Sequence, residues 1–127
     1  MQLGLEGWHK AMRDGCPAEL MGTLIADDAV FHSPVVHTPQ QGREKVVLYL
    51  TAASQTFANS EFAYVRELVH GLDACLEFTA KIDGIVINGI DLIRFDTQGR
   101  IVDFKVMVRP LKAVNMLWQK MAEQLQK

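Results

Sequence analysis

The hydrophobic period of this chain changes from helical to alternating near residue 61, and that change restricts the fold more than any other feature. Before it, apolar residues recur every three or four positions, as helices require; after it they alternate, as strands require. Leu5, Trp8, His9 and Met12 form an i, i+3, i+4, i+7 stripe over residues 4–14. That stripe predicts an amphipathic first helix, ended by Asp14-Gly15. Pro17 suits the first turn of a second helix, whose apolar side is Leu20, Met21, Leu24 and Ile25 and which Asp27-Asp28 stops. Residues 29–33 read as a short strand and 34–42 as a loop. A third helix follows over about 43–58, with Val46, Leu50, Ala53 and Phe57 on one side. From Glu61 onward Phe62, Tyr64 and Leu68 alternate with polar residues, Gly71-Leu72-Asp73 marks a turn, and Leu76, Phe78 and Ala80 alternate again. Asp83-Gly84 is a hairpin signal. Residues 85–96 make a long apolar strand, Thr97-Gln98-Gly99 a turn, and 100–108 a last strand. Pro110 opens a final helix striped by Leu111, Val114, Trp118, Met121 and Leu125. Helices grouped ahead of an antiparallel meander predict an α+β domain rather than βαβ units. A long curved sheet wrapped over three helices encloses a cone, and its wide end is a natural pocket.

The chain has 127 residues, the size of one domain, so 1–127 is expected to form a single unit. Thirteen Lys and Arg against fifteen Asp and Glu leave a net charge of −2. Nucleic acid and anionic membrane surfaces select a basic footprint, so neither is expected as a partner. Residues 1–15 lack a basic stretch followed by an apolar block, and no apolar run reaches a membrane span. The two cysteines, Cys16 and Cys75, are far apart, and the four histidines show no ligand spacing with them. No metal and no cofactor is expected, and the chain reads as reduced and cytoplasmic. Cys75 reads as a small core residue. Cys16 precedes a helix start, a place that can lower a thiol pKa, although an inert thiol is the alternative.

Two segments carry a resemblance. Ala26-Asp27-Asp28-Ala29-Val30-Phe31 with Ser33-Pro34 and Gly42-Arg43-Glu44 resembles the first signature of NTF2-like domains. Ile90-Asp91-Leu92-Ile93-Arg94-Phe95-Asp96, closing with Gly99-Arg100-Ile101, resembles their characteristic strand pair. The likeness spans most of residues 5–109 and points to the superfamily of ketosteroid isomerases and SnoaL-like polyketide cyclases. It implies an NTF2-like (cystatin-like) cone: a curved antiparallel sheet wrapped over three N-terminal helices, with an extra C-terminal helix. The fold hosts enzymes, transport factors and dimerisation modules alike, so it does not choose an activity. The isomerases use a carboxylate base and an oxyanion hole of Tyr plus a protonated Asp. Here the base position is Ser33, which accepts no proton usefully near neutrality. The helix-one tyrosine position falls at His9 or its neighbour Trp8, and the helix-three tyrosine position at Leu50. The oxyanion aspartate is retained as Asp91.

Asp91 is the candidate catalytic residue. It lies inside the apolar strand Ile85–Ile93, where Asp is poorly suited and an unpaired charge is costly. A raised pKa would keep it neutral and able to donate to a ligand carbonyl or phenolate. The alternatives are a carboxylate neutralised by Arg94 or Arg109, or one facing a dimer contact. His9, if it points inward, is the available general base; otherwise Trp8 takes that place. If Asp91 faces the pocket, strand alternation brings Ile87, Gly89 and Ile93 with it. The family register adds Leu76, Phe78, Ala80, Phe104, Val106 and Val108, and the first strand adds Phe31 and Ser33. Tyr49 and Tyr64 are further hydroxyls that the sequence does not orient. Such a cavity is mostly apolar and suits a hydrophobic small molecule, unless these side chains simply fill the core.

The opposite face carries Asn88, Ile90, Leu92, Arg94, Lys105 and Met107, a mixture that suits a homodimer interface, as the resemblance also implies. Two functions follow. One is a SnoaL-like pocket protein for a hydrophobic carbonyl- or phenol-type molecule, promoting isomerisation or cyclisation with Asp91 as oxyanion donor and His9 moving the proton. The other is a non-catalytic homodimeric ligand-binding or protein-interaction module.

Overall fold

The computed structural model describes residues 3–126. Helix α1 spans Leu3–Arg13 and α2 Ala18–Leu24; strand β1 spans Ile25–His32 and β2 Gln40–Gln41; α3 is Arg43–Thr56. Then come β3 (Ala63–His70), β4 (Asp73–Ile82), β5 (Ile85–Phe95), β6 (Ile101–Arg109) and α4 (Leu111–Leu125). The strands form one sheet ordered β2-β1-β6-β5-β4-β3. The meander β3 to β6 is antiparallel throughout, whereas β1 joins β6 in parallel, so the sheet is mixed. This is the α+β NTF2-like fold, with the added correction that one inner pair runs parallel.

Local chemistry sets the turns that frame the cone. The α1 terminus closes as a Schellman motif: Cys16 N–H reaches Ala11 O and Gly15 N–H reaches Met12 O, with Gly15 at φ 78°. Strand β1 begins four residues ahead of its expected start. Asp27 and Asp28 are poor strand formers, but both point to solvent. Asp27 pairs with Arg43, whose Nε also donates to Ile25 O and so ties α3 to the strand.

Two apolar clusters fill the cone. In one, Trp8, Ala11 and Met21 from the first helices pack on Leu76, Ile93, Phe95 and Phe104. In the other, Ala113, Met116 and Leu117 of α4 pack on Phe78, Ala80 and Ile87. The buried stripe of α4 is therefore rotated from the expected one: Leu111 and Trp118 are 73% and 61% exposed. Cys75 is also displaced from its expected core place. Its neighbours Ala74 and Leu76 take the buried face, leaving Cys75 partly exposed on the outer one.

Candidate functional site

Between the two clusters lies a cavity of about 330 Å³, and Asp91 is the ionised or ionisable carboxyl that lines it. Strand β5 places Asp91 opposite Leu76 of β4 and Val106 of β6. On the same face, Phe78 and Phe104 stand two residues along each neighbour and flank it diagonally. Helix α1 contributes Trp8, α3 contributes Leu50 and Ser54, and α4 contributes Leu117 and Met121. The C-terminal helix thus walls the cavity.

A directed hydrogen-bond chain reaches Asp91. Trp8 Nε1 donates to the Tyr64 hydroxyl at 3.0 Å, and that hydroxyl donates to Asp91 Oδ2 at 2.5 Å. Indole N–H can only donate, which sets the polarity of the chain. Oδ1 has no protein partner among the described residues and stays accessible from the cavity. Burial pushes the Asp91 carboxyl up to about 7, against the pull of the Tyr64 hydroxyl, which favours the anion. Tyr64 itself is driven far above the usual phenol range, first by burial and then by the adjacent Asp91. Burial also raises the Cys16 thiol, with Ser54 opposing, so the helix start does not activate it.

Tyr64 reaches this position through a β-bulge. Tyr64 pairs with Phe78, but Arg66 pairs with Glu77, so Val65 is the extra residue. The bulge turns Glu67 to the inner face and Leu68 outward, reversing the simple alternation expected beyond Tyr64. Glu67 then accepts or shares the contact that explains His9. His9 does not enter the cavity: its Nε2 lies 2.9 Å from Glu67 Oε1, and its ring stands edge-on to Tyr64 at 5.8 Å. One helical step separates neighbours by about 100°, and Trp8 takes the inward direction. The expectation of His9 as the inward general base is corrected accordingly.

Of the residues expected around the cavity, Trp8, Phe31, Ser33, Leu50, Phe78, Phe104 and Val106 line it beside Asp91. Leu76 and Ile93 do not; they are buried in the first cluster beneath α1 and α2. Ile87 and Val108 do not either, because α4 covers them in the second cluster. Both ends of the inner face are filled by helix side chains, and only the stretch around Asp91 stays open. Gly89 is likewise covered: a Cβ there would meet Phe78 Cζ and Met107 O, each at 2.6 Å. Its missing side chain lets the Phe78 ring lie across β5. Sequence reasoning did not place Met12, Cys16, Ser54, Phe57, Phe62, Leu117 or Met121 on the wall. The inward parity shared by Phe62 and Tyr64 was the one available signal, and it ends at the bulge.

The proposed neutralisers of Asp91 are elsewhere. Arg94 forks onto Asp73 on the outer face at 2.8 and 2.9 Å, and Arg109 is exposed at the end of β6. Among the described residues no Lys, Arg, His or Glu lines the cavity. Among the described residues no group of His, Cys, Asp or Glu is arranged to hold a metal ion, and no helix is long and apolar enough to cross a membrane.

Comparison with known proteins agrees with this architecture. Residues 5–104 match the SnoaL-like domain family. A steroid delta-isomerase structure from Pseudomonas aeruginosa is similar at 38% identity over 97% of this chain and 89% of that one, with a TM-score of 0.90. A cystatin-like-fold protein from Silicibacter pomeroyi shares 32% identity over 98% of this chain and 86% of that one, at TM-score 0.88. An NTF2-like protein from Mesorhizobium loti, 22% identical over 85% of this chain and 92% of that one, shares the fold at TM-score 0.72. No protein of curated function matches the chain significantly. A match over most of the chain, together with the mixed sheet and its cone, makes this protein a member of the SnoaL-like domain family, with an NTF2-like fold.

Proposed function

We propose that this chain binds a hydrophobic carbonyl- or phenol-type small molecule in its cavity, with Asp91 acting on the ligand oxygen. The observation that carries this is a buried carboxyl with one oxygen held by Tyr64 and the other open to an otherwise apolar wall. Below its pKa the neutral acid donates from Oδ1 to a carbonyl. If solvent takes the ligand's α-proton, that bond strengthens as negative charge develops on the enolate oxygen. Above its pKa the carboxylate is a proton acceptor. A carboxyl poised near neutrality is present in both forms, as general acid–base work requires. Isomerisation or cyclisation would rest on Asp91 alone, since His9 is committed to Glu67 and Ser33 Oγ accepts from Val35 N–H. Similarity to a steroid delta-isomerase supports a carbonyl ligand without naming it.

The test uses 2-acetylnaphthalene as the probe. Its affinity is expected to fall as pH rises through about 7, and Asp91→Asn is expected to bind it with a flat pH profile. Binding that ignores both pH and Asp91→Asn would overturn the assignment of Asp91. Asp91-dependent deuterium incorporation at the probe's methyl group, read by NMR, marks proton transfer.

A second reading has its own observation: among the described residues Asp91 stands without another carboxylate, imidazole or amine on the wall. Binding without exchange at the probe's methyl group would select a non-catalytic module. The outer face fits a homodimer in either case, since Met107 is 46% exposed beside Ile90 and Leu92. Met107→Glu is then expected to lower the sedimentation coefficient to that of a monomer.

A further inference from the structure

The cavity holds an acid without a base. Arg94 is engaged by Asp73 and His9 by Glu67, and among the described residues no Lys, Arg or His lines the cavity. The groups that face the carboxyl are Tyr64 from β3 and Cys16 from the turn after α1, neither of them positive. β4, β6, α3 and α4 present Phe78, Val106, Leu50 and Leu117. The donor chain from Trp8 through Tyr64 ends on Oδ2 and favours the ionised form. The remaining oxygen looks into the cavity with no protein partner.

The wall around it is aromatic. Trp8 packs edge-on to Phe104 with ring centroids 5.0 Å apart, and Phe31 lies 6.0 Å from Phe104. On the other side Phe62 stacks on Phe78 at 4.9 Å, with Phe57 edge-on to both. Aromatic faces carry negative potential and attract a cation, most strongly where water is excluded. A buried carboxylate is costly until a counter-charge arrives. Together they attract an apolar molecule with one positive charge and repel anions.

We propose that this cavity also binds protonated apolar amines, the ammonium seated on the free Asp91 oxygen and the apolar body on the Phe and Trp wall. This rests on the cavity being a ligand site, but its ligand class is distinct: the carbonyl ligand uses the neutral acid and the amine uses the carboxylate. The two therefore respond oppositely to pH. The amine itself stays protonated across the range, as a Lys-like group does.

Three probes with one ring system test it by calorimetry at pH 5.5 and pH 8.5: 2-naphthylmethylamine, 2-acetylnaphthalene and 2-ethylnaphthalene. With Asp91 titrating near 7, amine affinity is expected to rise by roughly thirtyfold between the two pH values, while ethylnaphthalene stays flat. At pH 8.5 the amine is expected to bind at least about tenfold more tightly than ethylnaphthalene. Asp91→Asn is expected to erase that preference and keep ethylnaphthalene binding, which also shows that the variant folds. Tyr64→Phe keeps the carboxyl but loses a donor to its anion, so the amine profile is expected to shift to higher pH. An amine that binds no better than ethylnaphthalene at pH 8.5 overturns the proposal, whether or not the ketone binds. If none of the three binds, the ligand-site reading fails with it.

Discussion

Asp91 and Asp73 lie on adjacent strands of one sheet and face opposite sides. On the outer face, Arg94 forks onto Asp73 and holds its carboxyl below the usual range. On the inner face, burial without a cation holds Asp91 up, at about 7. The same residue type, one strand over and three residues along, becomes a permanent charge in one place and a switchable acid in the other. Strand parity decides which. Positions 91 and 94 differ by three, so Arg94 cannot share a face with Asp91. The sheet thus screens the inner acid from the cation nearest to it in sequence.

Removing the inner acid should have the largest effect. Asp91 carries a raised native pKa, so the folded state binds the extra proton. Its stabilising contribution is full below the unfolded value of 3.8 and is lost as pH rises to about 7. Ionising it at pH 8 costs the fold on the order of 4 kcal/mol. Asp91→Asn keeps an acceptor for Tyr64 and removes the charge. Denaturant melts are expected to show the variant more stable than the parent at pH 8 and the gap closing by pH 4. A constant gap would mean that Asp91 does not titrate in the folded state.

A smaller effect is expected at Gly89, where the inner wall approaches closely. A methyl group there meets the Phe78 ring and the Met107 carbonyl at 2.6 Å, and the carbonyl belongs to a paired strand. Gly89→Ala is expected to cost about 1–3 kcal/mol, as overpacking does, and to push Phe78 toward the cavity. Thermal melts give the first quantity, and weaker binding of ethylnaphthalene reports the second. Unchanged melting and binding would show that the strand absorbs the methyl group.

Most of the framework was legible in the residues, because it rests on periodicity. The change of period near residue 61, the Asp83-Gly84 turn and the final proline each mark an element that the structure contains. Asp91 was legible for the opposite reason: an acid in an apolar strand violates local preference, and such violations concentrate at sites. What was hidden arises from tertiary contacts. The bulge at Val65 changes parity within a strand and leaves no composition signal, so the inward turn of Glu67 and the outward turn of Leu68 were unreadable. The choice between Trp8 and His9 depends on helix rotation, which both residues satisfy by hydropathy. The parallel entry of β1 depends on α3 carrying the chain across the cone, and the acidic pair Asp27-Asp28 masked the start of that strand.

Tyr64 tests how the inner acid is tuned. Its hydroxyl donates to the carboxylate, and a hydrogen bond to a charged group contributes roughly 1.5–3 kcal/mol. Tyr64→Phe is expected to raise the Asp91 pKa above about 7 by roughly one unit or more, read from the carboxyl carbon by NMR. A fall in that pKa would mean that the phenol stabilises the neutral acid, its oxygen accepting from the Asp91 acid as well as from Trp8 Nε1.

The smallest effect is expected on the outer face. Asp73 has a lowered native pKa, so its contribution is present above the unfolded value of 3.8 and lost as pH falls through the folded one. Its sign with pH is opposite to that of Asp91, and it acts only in the acid range. Both partners are open to water, Arg94 more than Asp73, and such pairs are weakened by salt and by the side-chain entropy they restrict. Asp73→Asn is expected to lower stability slightly at neutral pH and low ionic strength, with no difference left in high salt. Asp91→Asn should keep its gap in the same salt, because a buried carboxyl has few ions near it. A salt-resistant loss at Asp73 would show that the outer pair is shielded, as it would be if the two Arg94–Asp73 forks of a homodimer were covered by the partner subunit.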